Sequence, residues 1–130
     1  DAAVQVIIDG YTLAQAKAEK KREVSAKAHE KYEMVTAGIS AAEIAGWPIL
    51  LSEALTYRAS GTVGAAIQAE ATIRGITVAD LVTKIEGNAA AFQQARAAIA
   101  GTDGKKRDEI DALETFEAVA AYDIAGGWPL

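Results

Sequence analysis

Apolar and polar positions follow two rhythms along this chain. Residues 3–8, AVQVII, suit one short strand, which the Asp9-Gly10 turn ends. A single strand is not a stable sheet, so this arm is expected to pair with another chain or with a missing segment, or not to be a strand at all. From Thr12, placed as a cap, the rhythm becomes helical to about Ala37, with Gly38 as the stop. Leu13, Val24, Ala28, Tyr32 and Val35 recur at spacings near three and four, while Lys17, Glu19, Lys20, Lys21, Arg22 and Glu23 interrupt them. The first half of this helix is therefore expected to be solvated.

Ser40-Ala41-Ala42-Glu43 has capping-box spacing and opens a short helical turn that should stop at a Gly46-Trp47-Pro48 corner. Proline disfavours helix in the residue before it and fits the first turn of a new helix, so Pro48 should restart one through Ile49, Leu50, Leu51, Leu55 and Tyr57. A further helix is predicted from Val63 to Arg74, closed by Gly75. Thr77 to Asp80 repeats the capping spacing ahead of an amphipathic stretch carrying Leu81, Ile85, Phe92, Ala95 and Ile99 on one face. Gly101-Thr102-Asp103-Gly104 is expected to turn the chain, and Thr115 to cap a last helix through Val119 and Tyr122. Residues 78–100 and 105–122 would then form an antiparallel helical hairpin. The predicted fold is mostly α: a short N-terminal β-arm and long helix over 1–38, then a compact multi-helix domain over 39–130.

The 130 residues suffice for one domain, or one domain plus an arm. Aromatics are only 6% against 51% apolar, and alanine is abundant, which favours closely packed helices over a β-sandwich. The net charge of -5 argues against a polyanion partner. Without cysteine there is neither a disulfide framework nor a thiolate zinc site. No apolar run approaches the roughly 20 residues of a membrane span, so neither a span nor a signal peptide is expected within these residues. Because the chain begins at Asp1 and its one methionine is Met34, residue 1 is expected to lie inside a longer gene product.

Candidate chemistry is sparse. Ala71, Gly75, Ile76 and Leu81 have the spacing of a helix-turn-helix, but Val78, Ala79 and Asp80, which would enter the major groove, offer one carboxylate and no guanidinium. A plain helix-helix corner accounts for the same spacing. His29 is alone in a charged helix with Glu33 four residues on, so an exposed histidine is expected. Asp103, Asp108, Glu109 and Asp111 are interrupted by Lys105, Lys106 and Arg107 where a calcium loop needs ligands, which suits a solvated helix start. No phosphate loop, nucleophile elbow or HExxH pattern occurs, so no catalytic residue, cofactor, metal or small-molecule substrate is expected.

The ordered series YTLAQAKAEKKREV, AEIAGWP, EALTYRAS, RGITVADLVTKI, AAFQQARAAIAG, KKRDEIDAL and AYDIAGGWPL resembles the C-terminal helical region of tail-fibre and tail-fibre-assembly proteins of bacteriophages and prophages. The likeness runs from about Tyr11 to Leu130; the Gly101–Gly104 turn departs from it, since a more basic segment would be expected there. The resemblance implies a non-enzymatic virion tail component assembled in the bacterial host cytoplasm, acting through contacts with other tail proteins, or an assembly chaperone of the fibre. A small DNA-binding protein is the remaining alternative. The contact residues expected from the sequence are Val6 and Ile8 in the arm, the stripe of Val24, Ala28, Tyr32 and Val35, which would join copies as a trimer, and Trp128 with Leu130. Both tryptophans and both prolines fall in the echoing stretches AGWPIL and AGGWPL. Trp47 is assigned to the core, and Trp128, beyond the Gly126-Gly127 pair, to a tether at the edge.

Overall fold

The computed structural model describes residues 11–129, which form five helices and no strand. They are α1 (Leu13–Val35), α2 (Ala41–Ser60), α3 (Ala65–Arg74), α4 (Val78–Asp111) and α5 (Phe116–Ala121). The mostly α class holds. The β-arm expected over residues 3–8 lies outside the described residues.

Four of the five helix starts are set by a side chain that the sequence displays. Thr12 Oγ1 accepts from the Gln15 N–H at 3.1 Å while Gln15 Oε1 accepts from the Thr12 N–H at 2.7 Å, a reciprocal capping box. Ser40, Thr77 and Thr115 accept from Glu43, Asp80 and Ala118 N–H groups. Gly64, at the start of α3, has no side chain to offer, and Glu53 of α2 reaches across to accept from the Ile67 N–H at 3.1 Å. Gly61 and Gly75 end α2 and α3 at φ of 74° and 70°, a left-handed conformation that any other residue would adopt only with strain.

The chain forms two compact units, one from residues 36–94 and one from residues 1–35 with 95–130. In the central unit α2 packs on α3, and Ala54, Ile67, Ala71, Leu81 and Val82 make a closed core, flanked by Leu50, Tyr57, Ile76, Val78 and Ile85. Ala71 and Leu81, the pair with helix-turn-helix spacing, are both buried there, on either side of Gly75. Arg58 forks onto Glu86 at 2.7 Å and onto Thr83 at 3.2 Å, tying α2 to α4. In the terminal unit α1 packs on α5, and Ala16, Val24, Ala28, Ile99, Ile110 and Val119 are buried.

Three local expectations are corrected. Residues 46–48 do not turn a corner: α2 runs through Pro48. Losing the Pro48 N–H costs one helical hydrogen bond, but the helix is nucleated upstream at Ser40, and Trp47 meets Phe92 of α4 edge-on, centroids 5.0 Å apart. The segment 101–104 is no turn either, so the helical hairpin does not form and α4 is continuous to Asp111. Ile99, Lys106 and Ile110 are buried on one face of it, and Thr102 Oγ1 bonds back to the Ala98 carbonyl at 2.8 Å; burial of that face overrides the low helix propensity of two glycines. Finally, the lysines of early α1 are not simply solvated. Lys17 Nζ donates to the Asp111 carbonyl at 2.7 Å, Lys21 pairs with the Asp111 carboxylate at 2.8 Å, and Lys20 reaches the Ala120 carbonyl at 3.4 Å. Their ammonium groups sit at the carbonyl ends of α4 and α5, where the helix dipole favours positive charge.

Candidate functional site

Two features of the terminal unit concentrate aromatic and charged side chains. The first is a fold-back of the C-terminal segment onto α4. Tyr122 leaves α5 in extended conformation, and Asp123 Oδ1 then accepts from the N–H groups of Ala125 at 3.0 Å and Gly126 at 3.2 Å. A side chain on Gly126 would overlap the Asp123 carboxylate, and Gly127 takes φ of 80°. The two glycines therefore make a tight reversal that returns Trp128 to the protein. Its indole N–H donates to the Ile124 carbonyl at 2.7 Å.

At the centre of this reversal lies Lys106, only 8% exposed. Its ammonium donates to the Asp123 carbonyl at 3.1 Å and stands 5.5 Å from the Tyr122 ring centre and 5.8 Å from that of Trp128. A lysine can be enclosed this way because two ring faces and a carbonyl replace part of its hydration. The surrounding groups are polarised to match. Burial, followed by the hydrogen bond that Tyr122 donates to Glu109 at 2.7 Å, pushes the phenol up to about 12. The Gly126 and Ala125 N–H groups hold the Asp123 carboxyl below its usual range. The sequence reading puts Lys106 at a solvated helix start; the signal against it is the position of Lys106 seven residues after Ile99 and four before Ile110, on the apolar face.

The second feature is a groove of about 320 Å3 between α1 and α5, lined by Tyr11, Ala16, Glu19, Lys20, Glu23, Phe116, Val119 and Ala120. The Tyr11 and Phe116 rings are 6.0 Å apart, and the Tyr11 hydroxyl donates to Glu19 at 2.6 Å. Lys20 meets Glu23 at 3.6 Å across the rim.

The contact residues expected from the sequence are distributed unevenly. Val6, Ile8 and Leu130 lie outside the described residues. Val24 and Ala28 are 0% and 2% exposed inside the chain's own core, so they do not present a free seam. Tyr32 and Val35 are half-buried, with Arg96 5.6 Å from the Tyr32 ring centre. Trp128 is half-buried in its own unit. His29 is exposed and pairs with Glu33 at 3.1 Å. Asp103 meets Arg107 at 3.3 Å, and among the described residues no three potential metal ligands converge. No helix of the described residues is long and apolar enough to cross a membrane. Comparison with known protein families, with curated proteins and with solved structures finds no match for the chain.

Proposed function

We propose that this protein is a non-enzymatic structural component of a bacteriophage tail, associated with the tail fibre and acting through protein-protein contacts. The tail setting rests on the ordered sequence resemblance. The observation that carries the contact role is the distribution of side chains in the central unit: while its core is closed, Ile73 is 86%, Leu55 60% and Ile49 59% exposed. These three side chains offer apolar contact points to another protein. Polar side chains serve the fold as caps, as ion pairs and around Lys106, and no buried side-chain N or O among the described residues lacks a partner. The partners are other tail or tail-fibre proteins, with a homo-oligomer, a trimer, as the arrangement in a fibre. The N-terminal segment belongs to this reading as a β-arm.

The test is the protein composition of purified particles of a phage encoding this chain. A tail subunit is present at a fixed copy number relative to the fibre. A chain found with the fibre in the infected cell but not in the finished particle is instead an assembly chaperone, and one found in neither has no part in the tail.

A further inference from the structure

The fastenings of the reversal over residues 122–129 fall into two sets. One lies inside it: Asp123 accepts from the Ala125 and Gly126 N–H groups, and the Trp128 indole donates to the Ile124 carbonyl. The other ties it to α4. Among the described residues its hydrogen bonds and ring contacts there meet only two side chains, Glu109, which accepts from the Tyr122 hydroxyl, and Lys106. No backbone hydrogen bond of the described residues joins 123–129 to α4. Asp123, Ala125, Gly127 and Pro129 are exposed, so the segment meets the protein along one edge. We propose that residues 122–129 are a strap that opens by itself while the helices stay folded, and that the charge of Lys106 is its main fastening.

Opening the strap breaks the contacts of one edge and returns freedom to its backbone and rings, whereas unfolding the unit must also uncover Val24, Ala28, Ile99 and Ile110. The strap therefore sits at the low end of the unit's scale of stability. Of its two ties, the Glu109 bond lies at an exposed residue, where water competes for both partners. Lys106 is different. It is 8% exposed between the exposed Lys105 and Arg107, and its ammonium is held between ring faces and a carbonyl away from water, where the attraction of a cation to a ring is strongest. A neutral side chain of the same length would keep the packing of the stem and lose both the ring attraction and the carbonyl bond. Closure hides a cation and two rings together, and opening presents all three. An acylating reagent consequently meets Lys106 only in the open strap, and the amide it leaves has no charge with which to refasten. The inference does not depend on the tail reading.

The test treats the full chain with the N-hydroxysuccinimide ester of acetic acid in rising urea and follows each lysine by mass spectrometry. The free amine forms an amide with the acetyl carbon, the N-hydroxysuccinimide oxyanion leaves, and the ammonium proton passes to the buffer. Lys106 should react at least about tenfold more slowly than Lys105, at a rate nearly independent of urea until the chain unfolds, because a strap exposes little surface when it opens. Trp128→Ala should bring Lys106 close to the rate of Lys105. A parent Lys106 as reactive as Lys105 would mean that no closed strap exists. A rate that climbs with urea in step with unfolding from the start would mean that strap and helices open only together. Either result overturns the proposal. The charge is tested by chymotryptic cleavage after Tyr122, which should be several-fold faster in Lys106→Met than in the parent, while Lys106→Arg, which keeps a cation for the rings, stays near the parent. Equal cleavage of Lys106→Met and the parent, both folded by circular dichroism, would overturn the charge as the fastening.

Discussion

Replacing Trp128 with alanine separates a side chain that holds its own unit together from one kept for a neighbour. A fully enclosed tryptophan removes about 150–250 Å2 from water, so a half-buried one accounts for about 100 Å2, worth about 2.5 kcal/mol at about 25 cal/mol per Å2. The indole bond to the Ile124 carbonyl, at 2.7 Å, contributes about 1 kcal/mol, and the Lys106 ammonium at 5.8 Å about 0.5–1 kcal/mol. Releasing the ring and the reversal behind it returns about 1–2 kcal/mol of conformational entropy. The expected net loss is about 2–3 kcal/mol, or a fall of roughly 10 °C in melting temperature for a chain of this size. Far-UV circular dichroism on the isolated chain measures it. Trp128→Phe, which keeps a ring but not the N–H, should fall between. Lys106→Met, combined with each, should show coupling of about 1 kcal/mol if the charge is held by the rings. A Trp128→Ala protein that melts within about 1 °C of the parent yet binds its partner more weakly would refute this account and return Trp128 to the role of an anchor on another subunit.

Gly64→Ala should drive the Glu53 carboxylate off the start of α3 and cost about 1–2 kcal/mol in denaturant unfolding, as would losing the cap through Glu53→Ala. Asp111 is held low by the Lys21 bond, and Asp123 by two backbone N–H groups. Their stabilisation is present above the unfolded carboxyl value of about 4 and is lost as pH falls through the lower folded values. Melting temperature should therefore drop below about pH 4, and Asp123→Asn, which keeps the oxygen acceptor, should blunt part of that drop. Tyr122, raised to about 12, binds its proton more tightly when folded, so its contribution is full below the unfolded value of about 10 and is lost between about 10 and 12. Phenolate absorbance should show Tyr122 ionising well above the ordinary phenol value of about 10, and Glu109→Gln should bring it down.

What the sequence displays well is local. Thr12, Ser40, Thr77 and Thr115 mark helix starts because a cap is a contact between residues three apart, and Gly61 and Gly75 mark ends because few other residues take a left-handed turn without strain. What it hides depends on distant partners. Gly101 and Gly104 are turn residues by propensity, and only the burial of Ile99, Lys106 and Ile110 keeps that stretch helical. Pro48 is a break by propensity, bridged by a helix already begun and by Trp47 against Phe92. The Lys17, Lys20 and Lys21 run has the pattern of a solvated face, yet its partners lie 90 or more residues away at Asp111 and Ala120. The clasp around Lys106 was hidden for the same reason, since nothing next to a lysine in sequence announces two rings and a carbonyl arriving from residues 122–128.

Because the terminal unit is assembled from both ends of the chain, synthesis and folding are out of step in it. The central unit has all its residues once Gln94 has left the ribosome, whereas α1, made first, must wait for Asp111 and Ala120 before Lys17, Lys20 and Lys21 have anything to hold. Its apolar stripe, Val24 and Ala28 included, stands uncovered until those residues are made. A product that stops before residue 122 lacks the two rings and the carbonyl that enclose Lys106, and so leaves that lysine and the face of α4 around it bare.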